Sequence, residues 1–374
     1  MAPAAGEILV PEVSASAGNL AQHLGDGLGH HSFFEGDKHN VQEFVLPEAL
    51  RFDSAFDNFV DDAEFPVIDL STLASGDEKL RQETIARLAH AAETWGFFKV
   101  VNHGVPMELI QRILEHVRGF FAKPIEGKLE MKSDMPRSYF GYTPGTMITD
   151  VDGQHPSWTE RLYFKRKEDL FRKLAQGAWP EDDGRISEAI LKYMDHMDAL
   201  TEQLFELLTE GLGVKSEKLT AFHDNTCGGF NVAHYPACPR PELARGLRAH
   251  TDPHTMAVLY QEYPGLQLLK DGKWMTVRPE AGTLFVNVGD ILQIWSNGRY
   301  QSVQHRVALN PTASRYSLIF FKNPRLESII SAPSELIDEA HPRKYKAVSW
   351  AEYVGMISKG TTKPGLLIDK ITIA

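Results

Sequence analysis

His250 and Asp252 flank a single residue, Thr251, in a stretch with strand character. Alternate side chains of a strand share a face, so an imidazole and a carboxylate converge there while Thr251 points away. A second imidazole, His305, lies in another strand-like run, Val303-Gln304-His305-Arg306-Val307. Two imidazoles and one carboxylate on one face of an octahedral ion leave three positions open, the donor set of oxygen-activating iron(II) centres. Two open positions suit a bidentate 2-oxo acid and the third suits dioxygen. A zinc site with these donors would close further or keep one water. The same triplet recurs at His196-Met197-Asp198. That copy falls in a helical stretch, where positions two apart do not share a face, and reads as an exposed or half-buried helical pair.

Ten residues after His305, Arg315-Tyr316-Ser317 opens a further strand. Arg315 and Ser317 share a face by the same parity. A guanidinium fork beside a hydroxyl suits a carboxylate, and a cation buried in a barrel is costly without an anion. Tyr235 is a candidate third contact, on a strand feeding the same barrel. Arg185-Ile186-Ser187 has the same spacing but starts a helix, so Ser187 belongs to its first turn.

Between residues 225 and 325 the chain shows short strand-like runs: Phe230–Tyr235, Leu247–Thr251, Met256–Tyr260, Leu266–Leu269, Thr283–Val288, Ile291–Trp295, Val303–Leu309 and Tyr316–Phe321. Turns such as Pro264-Gly265, Asp271-Gly272 and Asn297-Gly298 separate them, a pattern that predicts a sandwich or jelly roll. Ahead of it, Phe65–Leu70 reads as a short strand and Phe97–Asn102 as a buried one. Asp77–Thr94, with Leu80, Ile85, Leu88 and Ala92, has helical spacing, as do Met107–Phe121 and Ile186–Leu212. Val348–Met356 reads as a closing helix. The expected organisation is a partly ordered arm over residues 1–60, a mixed helical region over 61–224, the β core over 225–330 and a helical closing segment over 331–374.

The chain has 374 residues, 43% of them hydrophobic, enough for a large core. A formal net charge of −11 argues against nucleic-acid binding through bulk charge. The one basic cluster, Lys165-Arg166-Lys167, is followed at once by Glu168 and Asp169 and reads as a solvated helix face. Two cysteines, Cys227 and Cys238, make neither a disulfide framework nor a four-thiolate zinc site. No basic leader and no apolar run of ~18 residues occurs. These features predict a cytoplasmic protein, a monomer without nucleic-acid or membrane partners, acting on a small molecule.

The ordered set Leu247-Arg-Ala-His-Thr-Asp-Pro253, Pro264-Gly-Leu-Gln-Leu268, Asn287-Val-Gly-Asp290, Ser296-Asn-Gly-Arg299, Gln304-His-Arg306 and Arg315-Tyr-Ser317 resembles the plant-type 2-oxoglutarate/iron(II) dioxygenases. Trp95-Gly-Phe-Phe98, Asn102-His-Gly104 and Tyr235-Pro-Ala-Cys-Pro239 extend the likeness to residues 65–357. The resemblance implies a mainly β fold with α elements: a double-stranded β-helix (jelly roll) flanked by helices. It implies iron(II) held by His250, Asp252 and His305, and 2-oxoglutarate held by Arg315 and Ser317 with Tyr235 assisting. Dioxygen is the second co-substrate and ascorbate the reductant. The expected reaction hydroxylates or desaturates a small hydrophobic metabolite while 2-oxoglutarate is decarboxylated to succinate.

One departure from the family pattern is Ala233, where Asn is frequent. Asn231, one same-face step away, is expected to face the substrate. Phe321 points into the same mouth by parity, Tyr142 lies in Tyr139-Phe140-Gly141-Tyr142, a stretch that lines the cavity in relatives, and Trp158 and Phe164 are further candidates. Trp158–Phe164 and Tyr345–Tyr353 resemble the gibberellin-oxidase branch, and His250–Pro253 resembles flavanone-type oxygenases. A gibberellin-type diterpenoid acid is the first candidate substrate and a flavonoid the second. Oxidases of the same fold that dispense with 2-oxoglutarate are the remaining alternative.

Overall fold

The computed structural model describes residues 44–52, 58–131, 141–145, 155–165, 168–224, 227–358 and 367–373. Most of the expected N-terminal arm, together with Arg166 and Lys167, lies outside them.

The helical spacings become three long helices. Helix α1 (Glu78–Thr94) is capped by Asp77, whose carboxylate accepts from the backbone N–H groups of Lys79 and Leu80. It buries Ile85, Leu88 and Ala92, but Leu80, expected on that face, is 39% exposed in the first turn. Helix α2 covers Met107–Phe121 and α3 covers Arg185–Gly211. Along α3, Ile190, Met194, Met197, Leu204 and Leu208 are buried, each worth roughly 1.5–3 kcal/mol relative to exposure. The Ser187 hydroxyl donates to Gly184 O in the first turn. The His196/Asp198 reading needs correction at Asp198. That carboxylate is buried, and it takes a 2.7 Å hydrogen bond from Lys322 Nζ.

Strands β1 (Val67–Asp69), β2 (Phe97–Val101), β3 (Gly141–Thr143), β4 (Glu160–Lys165), β5 (Gly228–Tyr235), β7 (Met256–Gln261), β10 (Leu284–Val288) and β12 (Arg315–Lys322) form an eight-stranded sheet ordered β1-β2-β10-β7-β12-β5-β4-β3. Strands β6 (Leu247–His250), β8 (Leu266–Lys270), β9 (Lys273–Thr276) and β11 (His305–Val307) form a four-stranded sheet ordered β6-β11-β8-β9. Together they make the jelly roll. Four strands of the large sheet come from before residue 225, so the region read as helical also supplies sheet.

The two faces of the large sheet differ. One carries Phe98, Val100, Val258, Leu318, Phe320, Val232, Phe230, Leu162 and Phe164, which pack in one cluster with residues of α1, α2 and α3. The other carries Leu259, Phe285 and Ile319, packed with Leu266 and Leu268 of the small sheet. Ala233 and Tyr235 pack there with Val307.

Two local expectations fail. Ile291–Trp295 is helical, as α4 (Asp290–Trp295), not a strand. Ile291, Leu292, Ile294 and Trp295 are all buried, and a short run apolar on every side has no period to separate strand from buried helix. At Val348–Ser349 the chain pairs with Ile329–Ile330 before helix α5 (Trp350–Ser358) begins.

Candidate metal centre and the cavity face

Strands β6 and β11 pair antiparallel with His305 opposite His250. Their ring centroids lie 4.2 Å apart. One ligand atom from each of His250, Asp252 and His305 falls within 4.8 Å of the others. His250 Nε2 is 3.7 Å from Asp252 Oδ1, and His305 Nε2 is 3.7 Å from Asp252 Oδ2. Both separations are longer than a hydrogen bond and leave room for an ion among the three atoms.

Each imidazole is oriented by its own strand. His250 Nδ1 lies 2.9 Å from Arg248 O, and His305 Nδ1 lies 3.2 Å from Val303 O. A carbonyl only accepts, so Nδ1 carries the proton in both rings. The Nε2 lone pairs then face the common point, as metal ligation requires. Burial, then the neighbouring His305, pushes the His250 imidazole down to about 3. Burial alone would raise the Asp252 carboxyl, but His305, His250 and His254, with a hydrogen bond from Asn287, outweigh it and hold it below the usual range. Asn287 Nδ2 donates to Asp252 Oδ2 at 2.8 Å. The donor set is thus two imidazoles and one carboxylate, which suits iron(II).

A second clamp lies behind this strand. Asp290 Oδ2 accepts from Tyr353 Oη of α5 at 2.7 Å and from Thr251 Oγ1 at 3.3 Å, and Oδ1 accepts from Ser302 Oγ at 2.6 Å. Asp290 N donates to Asp252 O.

The register defines the cavity face of the large sheet row by row. Arg315 faces Tyr235. The next row runs Gln261, Ser317, Ala233, Arg161, Thr143, and the one after it Leu259, Ile319, Asn231, Tyr163, Gly141. A third runs Asn287, Ala257, Phe321, Gly229, Lys165. On this face Arg315 Nη1, Ser317 Oγ, Gln261 Nε2, Asn231 Oδ1 and Arg161 Nε are buried atoms with no hydrogen-bond partner. Arg315 Nη2 donates to Gln261 Oε1, and its Cζ lies 5.1 Å from the Tyr235 ring centroid. Burial pulls the Arg315 guanidinium below its ordinary value. Donors left vacant beside a buried cation fit a ligand carboxylate.

The expected substrate contacts divide. Asn231 and Phe321 stand on the cavity face, and the Phe321 ring centroid is 4.1 Å from that of His254. Tyr142 does not. It pairs with Leu162, in a row continuing through Val232 and Leu318 on the helix-side face. It is 1% exposed, and its hydroxyl donates to Glu160 Oε2 at 2.6 Å. Phe164 packs on that face too. Trp158 is also 1% exposed, edge-on to Phe44, with Nε1 donating to Pro236 O. Sealed side chains of this kind present no surface to a ligand. Tyr139 and Phe140 lie outside the described residues.

Gln261, Asn287, Arg161 and Tyr163 were missed in the sequence. The Asn287-Val-Gly-Asp290 run was visible, yet nothing in it marked Asn287 as the partner of Asp252. Gln261 and Arg161 acquire their neighbours only through long-range pairing.

The 2OG-Fe(II) oxygenase superfamily model matches residues 227–324, and the N-terminal model of non-haem dioxygenases in morphine synthesis matches residues 65–182. Jasmonate-induced oxygenase 2 of Arabidopsis thaliana is 36% identical over 315 residues, covering 83% of each chain. The chain belongs to the 2-oxoglutarate/iron(II)-dependent dioxygenase family. Gibberellin 2-beta-dioxygenase 8 of Arabidopsis thaliana is 32% identical, covering 83% of this chain and 86% of its own. A crystal structure of JOX2 with 2OG, Fe and JA superimposes with a TM-score of 0.77 at 31% identity, covering 92% of this chain and 97% of that one. This dioxygenase therefore works with iron(II), 2-oxoglutarate and dioxygen, with ascorbate as the accompanying reductant. Among its described residues no helix is long and apolar enough to cross a membrane.

Proposed function

We propose that this dioxygenase hydroxylates or desaturates a small, largely apolar metabolite, with a gibberellin-type diterpenoid acid as the first candidate. His250, Asp252 and His305 hold the iron. Arg315 and Ser317 hold the distal carboxylate of 2-oxoglutarate, with Tyr235 beneath the guanidinium. Asn231 and Phe321 border the substrate. One observation supports this reading above the rest. Three ligand atoms within 4.8 Å of one another share a barrel with the vacant donors of Arg315 and Ser317.

With dioxygen as the oxidant, bound iron(II) and 2-oxoglutarate would supply the oxidising chemistry, releasing succinate and carbon dioxide. The protein's part is placement. Backbone carbonyls of Arg248 and Val303 fix the imidazole tautomers. Asn287 holds the Asp252 carboxylate with one oxygen engaged. Arg315 Nη1, Ser317 Oγ and Gln261 Nε2 are buried and await an anion, and hydrogen bonds from a cation to an anion are strong in such a setting. No side chain is needed as nucleophile or general base.

Relatives named gibberellin 2-beta-dioxygenase and dioxygenase for auxin oxidation, and a JOX2 structure in complex with JA, support a hormone-like acid. The test is a panel of gibberellins, jasmonates, flavanones and phenolic acids with iron(II), ascorbate and 2-oxoglutarate, read as succinate formed. Succinate above the substrate-free level with a gibberellin or jasmonate is expected. A flavanone alone raising it moves the substrate to the flavonoid class, and no succinate under any condition removes the reading.

A further inference from the structure

We propose that Arg161 is a second carboxylate anchor of this cavity, one that grips an acid group on the molecule being oxidised; the inference rests on the dioxygenase reading above. Arg161 is half-buried on β4. Its Nε is fully buried and has no hydrogen-bond partner. A buried guanidinium N–H left without a partner is costly.

Among the described residues none supplies Arg161 with an anion. The adjacent carboxylate, Glu160, points to the opposite face of β4. There it meets Lys128 Nζ at 2.7 Å, His234 Nδ1 at 2.8 Å and Tyr142 Oη at 2.6 Å. Neighbours on the Arg161 face are polar but uncharged or small. Ala233 lies beside it, with Ser317 beyond. In the next row Asn231 Oδ1 is unpartnered. Tyr163 lies across Gly229, its ring and hydroxyl crowding the place where a Cβ would sit, so a side chain there would push it aside. Burial pushes that hydroxyl up to about 12, so it stays a neutral donor.

The row geometry separates the two possible sources of a carboxylate. Arg161 is two strands from Ser317, roughly 10 Å across the sheet. Asn287, which fixes Asp252, is on β10, two strands from β12 in the other direction. A co-substrate running from Ser317 to the metal ligands therefore leads away from Arg161. The vacant guanidinium faces the part of the cavity left for the other reactant. Ala233 contributes only a methyl group there and keeps the lane between Arg161 and the cavity open.

The test compares small apolar acids, gibberellic and jasmonic, with their methyl esters. The assay is the full-length protein with iron(II), ascorbate and 2-oxoglutarate, read as substrate-stimulated succinate. Wild type should favour an acid over its ester. Arg161→Leu should raise KM for that acid about 10–100-fold, the range of a lost charged hydrogen bond, leaving the ester and 2-oxoglutarate unchanged. Arg161→Lys should recover part of the loss. An acid KM within twofold of wild type in Arg161→Leu overturns the proposal. So does a rise in KM for 2-oxoglutarate instead, which would put the residue on the co-substrate, or a panel in which only neutral compounds stimulate. If no succinate forms at all, the dioxygenase reading falls by itself. Calorimetric binding of the same acids to wild type and Arg161→Leu then still decides the role of Arg161, with equal affinities counting against it.

Discussion

The two faces of the large sheet are built from the same strands and treat polar groups differently. Toward the helices, Glu160 has three partners and Lys322 is tied to Asp198, and His234 Nε2 and Tyr193 Oη are the buried atoms left unpartnered among the described residues. Toward the small sheet, Arg315, Ser317, Gln261, Asn231 and Arg161 each keep a buried atom without a partner. The helix side spends its polar atoms on holding the protein together. The cavity side leaves them available to a ligand, at a cost in stability. Loss of a group on one side should therefore be read in kinetics, and on the other in melting.

The strongest test is His305→Ala. Turnover should fall to background, while the melting temperature of the metal-free protein moves little. Retained activity would remove His305 from the centre. Next is Arg315→Leu, which should raise KM for 2-oxoglutarate on the order of 100-fold by removing a charged, forked contact. Because it deletes a buried cation with a vacant donor, the ligand-free protein should be as stable as wild type or more so. A large loss of melting temperature there would erase the contrast between the faces.

Asn287→Ala should weaken iron binding by ~10–100-fold, since the hydrogen bond that orients Asp252 is gone. Metal titration followed by activity checks this. On the helix side, Tyr142→Phe removes one of the two donors to Glu160 Oε2, leaving Lys128 Nζ on it, and should cost about 1–3 kcal/mol of stability by denaturant titration, with both KM values unchanged. A shift in KM for the substrate would return Tyr142 to the cavity.

The smallest effect concerns pH. His223 is buried, with Nδ1 at 3.0 Å from Leu219 O and Nε2 at 2.8 Å from Thr255 Oγ1. Burial, then Lys322, pushes it down to about 3 from its ordinary 6.5. The unfolded chain takes up that proton below 6.5 and the fold does not, so this site's contribution to stability falls as pH drops from 6.5 toward 3. His223→Gln should flatten the fall in melting temperature over that window. An unchanged slope would place the titration elsewhere.

Much of this contrast was readable along single strands. Parity puts Arg315, Ser317 and Phe321 together without any tertiary information, whereas β6 ends at His250 and Asp252 meets it from the loop that follows. Two kinds of feature were not readable. Tyr142 sits on a strand of three residues, too short for its pattern to say which face is inward. Arg161 and Gln261 owe their positions to partners 72 and 56 residues away, Ala233 and Ser317, which a linear pattern does not specify. Helix α4 was misread because its buried residues surround the axis.

The Asp290 carboxylate ties Tyr353 of α5 to Thr251, the residue between His250 and Asp252. The far end of the protein is thus two hydrogen bonds from the iron ligands. A truncation that removes α5 would take away no metal ligand, yet it would leave one oxygen of a buried acid with Thr251 Oγ1 as its remaining donor and slacken the loop that carries Asp252. Engineers trimming this enzyme or fusing a partner near residue 350 should expect the metal to leak before the barrel opens.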